Sequence, residues 1–93
     1  MIILLRIDYD GDDLQRDLKK LDEIHSSIQA KVGGKLDGPY FGQTSTLLYI
    51  FHMDKYETLN QAGRLWYAEM MKAKLPFTPN TYEVAVTPKE FFG

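Results

Sequence analysis

Cysteine is absent from this 93-residue chain, which excludes disulfides, thiolate nucleophiles and thiolate metal sites and fits a reducing compartment. Excess charge of either sign is missing too. With 11 Lys and Arg against 13 Asp and Glu, the formal charge is −2, so no electropositive field collects phosphates and no nucleic-acid partner is expected. No apolar run approaches the ~20 residues of a membrane span. Residues 1–5 are apolar, but Arg6 and Asp8 end that run, no basic residue precedes it and no small-residue cleavage site follows. It reads as the first strand of a cytoplasmic protein, not as a secretion signal. Low-complexity tracts, internal repeats and linkers are also lacking.

What is present is an ordinary globular composition, 44% hydrophobic and 13% aromatic. The length fits one domain over residues 1–93. A domain this small buries only about 60–65% of the surface its unfolded chain exposes, so association with a second copy would add stability.

Ile2–Tyr9 is a strand by composition, with Ile3, Leu5, Ile7 and Tyr9 in one row and Ile2, Leu4, Arg6 and Asp8 in the other. Residues 10–13 supply turn chemistry and an N-cap. Leu14, Leu18, Leu21, Ile24 or His25, Ile28 and Val32 then recur at intervals of three and four, the stripe of an amphipathic helix that Gly33-Gly34 stops. Lys35–Phe41 reads as a short strand that Gly38-Pro39 sends to a sheet edge or a bulge, and residues 42–45 as a hairpin connection. Residues 46–53 form the strongest strand, with Leu47, Tyr49, Phe51 and Met53 on one face and Leu48, Ile50 and His52 on the other. A second helix is predicted from near Asp54, capped by Asp54 with Glu57 three residues on, presenting Tyr56, Leu59, Ala62, Gly63, Trp66, Tyr67, Met70 and Met71 to the core. It ends before Pro76, residues 76–80 read as a loop, and residues 81–87 as a half-buried strand that Pro88 stops.

The predicted order is βαββαβ, an α+β ferredoxin-like fold with a four-stranded antiparallel sheet carrying two helices on one face. A central strand apolar on both sides needs cover on both, and right-handed connections put the helices on one. A second copy packed sheet to sheet about a two-fold axis is the economical cover for the open face. In this layout the chain resembles the dimeric α+β barrel superfamily, over Ile2–Tyr9, Leu14–Val32, Lys35–Phe41 and residues 46–53, 56–71 and 81–87. The resemblance is one of layout and carries no diagnostic motif. It implies a homodimer and a flat, apolar or aromatic small ligand held between helices and sheet. Cofactor-independent monooxygenase, isomerase and cyclase activities occur in that superfamily. The Asn, Trp and His set of its haem-degrading members is not reproduced, because Asp8 stands where the Asn would be sought and the second helix has no His. The competing reading is a non-enzymatic interaction or regulatory module that docks a protein through residues 39–41 and Phe91-Phe92.

His52, at the end of the central strand, has a side chain that titrates near ~6.5 and suits a general base; its plainer role is a hydrogen-bonded strand-end or interface histidine. Arg6 shares a strand face with Asp8 and suits anion stabilisation, with Glu83 or Tyr49 completing such a site. Its plainer role is an ion pair between subunits. Trp66, with Tyr67, Met70 and Met71, suits a stacking wall for a planar ligand and equally an ordinary core face. Tyr40 and Tyr49 could bring phenolic hydroxyls to the same cavity, Tyr49 being the more informative because a buried phenol needs a partner. No metal or cofactor is expected: the acidic residues 8–13 lack EF-hand spacing, the glycines do not form a phosphate loop, and His25 has no accompanying ligand set.

Overall fold

Two of the four strands carry no proline and few polar residues, and these two lie mid-sheet. In the computed structural model, which describes residues 1–43 and 45–93, the chain runs β1 (Ile2–Tyr9), α1 (Leu14–Val32), β2 (Lys35–Phe41), β3 (Thr46–His52), α2 (Tyr56–Ala73), β4 (Phe77–Ala85) and a short α3 (Pro88–Phe92). The sheet is antiparallel in the order β2-β3-β1-β4. The expected βαββαβ order is therefore present, with β1 and β3 central and the proline-bearing β2 and β4 at the edges, where a missing N–H costs no ladder bond.

The sheet has two unlike faces. Ile3, Ile7, Leu47 and Tyr49 are buried and pack with Leu21 and Ile28 of α1 and Leu59, Ala62 and Met70 of α2. The opposite rows bring Ile2, Leu4 and Arg6 of β1 opposite His52, Ile50 and Leu48 of β3, and none of these six belongs to the buried clusters that pack against the helices. Leu47, Tyr49, Phe51 and Met53 are thus the residues that meet the helices, a choice the alternation of β3 leaves open.

Local chemistry sets the ends of α1. The Asp13 carboxylate accepts from the Arg16 backbone N–H at 3.1 Å, and Gly33, at φ 79°, donates its N–H to the Gln29 carbonyl at 2.8 Å, so orphan groups at both ends are satisfied. The buried Asp17 carboxylate ties α1 to β1: it accepts from the Tyr9 hydroxyl at 2.7 Å and from Arg16 Nε at 3.2 Å. These two donors, Tyr9 first, hold the Asp17 carboxyl below its ordinary range.

Four expectations are corrected. Of the stretch 76–80, residues 77–80 are strand, not loop: β4 begins at Phe77, and Pro79 is tolerated because β4 is an edge strand whose register shifts opposite Arg6 and Ile7. Pro88 does not simply stop the chain; it sits at the start of α3, where Thr87 and Glu90 form a reciprocal capping box. Asp54 does not cap α2, since the cap residue is Lys55 in extended conformation and makes no side-chain bond. Tyr56, Tyr67 and Met71 are exposed at 59, 61 and 76%, because the apolar stripe of α2 is wider than the contact it makes. In the connection 42–45, Gly42 donates to the Thr46 carbonyl at 2.8 Å, and Thr44 lies outside the described residues.

Gly38 has a backbone that side chains resist. Its φ is 120°, and an added Cβ would stand 2.8 Å from the Leu48 carbonyl oxygen in the neighbouring strand. Gly38→Ala should lower stability by about 1–3 kcal/mol, read as a shift in the urea midpoint. An unchanged midpoint would mean that β2 does not hold this register.

Candidate functional site

Between the helix-facing side of the sheet and α2 lies a cleft of about 650 Å³, within the ~300–1,000 Å³ common for small-molecule sites. Its floor is Ile3 and Leu5 of β1 with Tyr49 and Phe51 of β3. Its walls are His25 and Ile28 of α1 and Leu59, Gly63 and Trp66 of α2. Tyr67 and Tyr82, both more than half exposed, stand at its mouth with Arg64. The lining is mainly apolar, and the polar groups that do appear are specific.

The inner polar group is His25. The residue is 4% exposed, and it falls in the core register of α1, four residues after Leu21 and three before Ile28. Trp66 Nε1 donates to His25 Nε2 at 3.0 Å. An indole nitrogen can only donate, so Nε2 must be the unprotonated nitrogen, and in the neutral ring the proton sits on Nδ1. Burial pushes the imidazole down to about 4, which keeps the ring neutral at physiological pH. Nδ1 is itself buried and has no hydrogen-bond partner among the described residues.

Tyr49 lies beside this histidine, edge to face with ring centroids 4.6 Å apart. It is 1% exposed, and its hydroxyl reaches the Asp22 carboxylate on α1 at 3.4 Å. Burial, reinforced by the Asp22 charge, pushes the Tyr49 hydroxyl far above the ordinary phenol range, so it stays protonated. Burial also raises the Asp22 carboxyl, against the lowering effect of the Tyr49 hydrogen bond.

Gly63 has an unusual place. It lies mid-helix in α2, on the cleft wall, and a Cβ added to it would meet nothing within 4 Å. Neither close packing nor a left-handed backbone explains a glycine there, although mid-helix glycine is unfavourable by ~0.5–1 kcal/mol relative to alanine. Gly63→Ala should therefore raise stability by about that amount, measured by urea denaturation; a destabilised protein would show that the space beside Gly63 is filled.

The structure divides the residues singled out from sequence. Tyr49 and Trp66 line the cleft. His52 and Arg6 lie on the opposite face of the sheet, both exposed, and His52 Nε2 is 3.0 Å from the Asp37 carboxylate. Glu83 pairs in register with Leu4 on that same face, and Tyr40 lies on edge strand β2, 53% exposed. From sequence, His25 stands on or beside the apolar stripe of α1 but is weighed only as a metal ligand, and Asp22 is not singled out; the signal available was a histidine in the core register of α1. No group of three or more His, Cys, Asp or Glu side chains among the described residues could hold a metal ion, and no helix of the described residues is long and apolar enough to cross a membrane.

No family model matches the chain, and no curated protein matches its sequence. Several solved structures do match it over nearly their whole lengths. A NIPSNAP family protein from Agrobacterium tumefaciens superposes with a TM-score of 0.57 at 22% identity, covering 94% of this chain and 93% of that one. A dimeric ferredoxin-like protein from an uncultured marine organism gives 0.57 at 20% identity, covering 92% and 94%. An uncharacterized NIPSNAP domain protein from Burkholderia xenovorans gives 0.58 at 17% identity, covering 95% and 97%. The fold is ferredoxin-like. At these identities the likeness bears on the fold alone, and the ferredoxin-like frame accounts for the cleft's position: helices and sheet meet on one face and leave the other bare.

Proposed function

We propose that the protein binds a small apolar or aromatic molecule in the cleft between the sheet and α2, and that it does so as a homodimer joined through the open sheet faces. The observation that carries the binding reading is the 650 Å³ cleft with Gly63 on its wall, a helix position where a side chain would meet open space. Aromatic walls from Trp66, Tyr49 and Phe51 suit a planar ligand by stacking and edge contacts. The reading is one of binding; the arrangement assigns no monooxygenase, isomerase or cyclase step.

The dimer reading rests on the bare face. Ile2, Leu4, Leu48 and Ile50 form an apolar patch there that no element of the described chain covers, rimmed by Arg6, Glu83, Asp37 and His52. In this reading the rim charges pair across the two-fold axis, which places Arg6 and His52 in the subunit interface and away from the ligand. The dimeric ferredoxin-like neighbour supports such an assembly by analogy.

The test of binding is calorimetric titration with 2-naphthol, comparing wild type with Gly63→Phe. The new ring projects into open space and improves helix propensity, so the variant should fold at least as stably while affinity drops about tenfold or more. Equal affinity in the two proteins would place 2-naphthol elsewhere and count against the cleft.

A further inference from the structure

The cleft's inner polar group is more specific than its apolar lining. His25 lines the cleft, Trp66 occupies its Nε2, and the edge-on Tyr49 ring fixes its plane from the side. The remaining nitrogen, Nδ1, carries the proton, is shut away from bulk water and has no acceptor among the described residues. A buried N–H without an acceptor is an unfavourable arrangement that native proteins rarely leave in place. His25 borders the cleft, so a ligand seated against its ring can supply the acceptor once the side chains that now cover Nδ1 give way.

We infer that His25, locked by Trp66 as the Nδ1–H tautomer, donates a hydrogen bond to an uncharged carbonyl oxygen at the inner end of the ligand, so that the cleft takes aromatic or alicyclic ketones and quinones in preference to hydrocarbons of the same shape. The inference rests on the binding reading above and adds the ligand's polar group to it. A neutral acceptor fits better than a carboxylate for a geometric reason. Arg64, the basic side chain on the cleft lining, is exposed at its mouth, and Asp22, which Tyr49 engages, is exposed and lies outside the lining. An inner carboxylate would be buried without a counter-charge. Neutral imidazole, kept so by burial, donates to a carbonyl without introducing charge.

The test uses a matched pair of probes, 1-tetralone and tetralin, which share a bicyclic skeleton and differ in one carbonyl oxygen. With wild-type protein, calorimetry should show tetralone binding about tenfold tighter than tetralin, the margin of one well-made buried hydrogen bond. Nitrogen-15 spectra of the histidine side chains should show the Nδ1–H tautomer of His25 before and after addition, with the Nδ1 resonance moving for tetralone and not for tetralin. In His25→Phe the margin should vanish while tetralin still binds. The spectra need no variant, so a misfolded His25→Phe leaves the test intact. Equal affinities in wild type, with both probes lost in Gly63→Phe, would overturn the inference and leave the binding reading standing. If neither probe binds, the binding reading falls and the inference falls with it. A spectrum showing the Nε2–H tautomer would overturn the inference at its first step.

Discussion

Lowering the pH from 6.5 to 4 should remove on the order of 3 kcal/mol of folding stability through His25 alone. The unfolded imidazole titrates near ~6.5, whereas burial holds the folded one at about 4. Between those values the unfolded chain takes up a proton that the native ring refuses, so stability is complete above 6.5 and declines as the pH falls toward 4. The native ring refuses the proton for two reasons: the residue is 4% exposed, and protonating Nε2 would set it against the Trp66 N–H that now donates to it. Other groups act at the low end of this range. The raised Asp22 carboxyl opposes the loss near the ordinary carboxylate range, and the lowered Asp17 carboxyl adds to it below that range. Urea midpoints collected at half-unit steps should show the slope in wild type and its flattening in His25→Phe. A midpoint unchanged from pH 6.5 to 4.5 would mean that the ring charges freely and that the Trp66–His25 contact does not exist in solution.

Ile50→Asp should convert the proposed dimer into a 10.8 kDa monomer. Ile50 lies on central strand β3, between Leu4 of β1 and Asp37 of β2, in the middle of the bare apolar patch. A carboxylate there would be buried in the proposed interface without a counter-charge, costing several kcal/mol and raising the dimer dissociation constant about a thousandfold or more. Sedimentation equilibrium reads the mass directly. Because the cleft opens on the other face of the sheet, 2-naphthol binding should persist in the monomer, which separates the two halves of the proposed function. A wild type that sediments as a monomer, or an Ile50→Asp protein that remains a dimer, would remove the open-face interface.

The fold was readable where a single strong local signal set it. The alternation in Ile2–Tyr9 and residues 46–53, the three-four stripe from Leu14 to Ile28 and the stop at Gly33 are properties of neighbours in sequence, and each appears where the pattern puts it. Reading failed where tertiary context overruled a local signal. Pro79 and Asn80 look like a loop, but the β1 edge offers partners, and an edge strand with a register shift admits both residues. The wide stripe of α2 does not say which of its aromatics the sheet will cover, so Trp66 is partly buried while Tyr56 and Tyr67 are exposed.

The site was legible by half. Tyr49 could be singled out because a buried phenol needs a polar partner, and Trp66 because the aromatic stripe it belongs to suits a planar ligand. Their partners could not, since Trp66 and His25 are 41 residues apart in sequence and Tyr49 and Asp22 are 27 apart. His52 drew attention as a histidine on the strongest strand. Whether its row or that of Tyr49 meets the helices is a property of the assembled sheet, and the helices take the Tyr49 row.

The central claim is that the space between the sheet and α2 is a ligand site, and a crystal structure of the protein grown with 1-tetralone tests it most directly. The account gives ring density between Trp66 and Phe51, beside Gly63, with the carbonyl oxygen at hydrogen-bond distance from His25 Nδ1. A cleft closed by inward movement of α2, with Trp66 packed onto the sheet and tetralone absent, would contradict it.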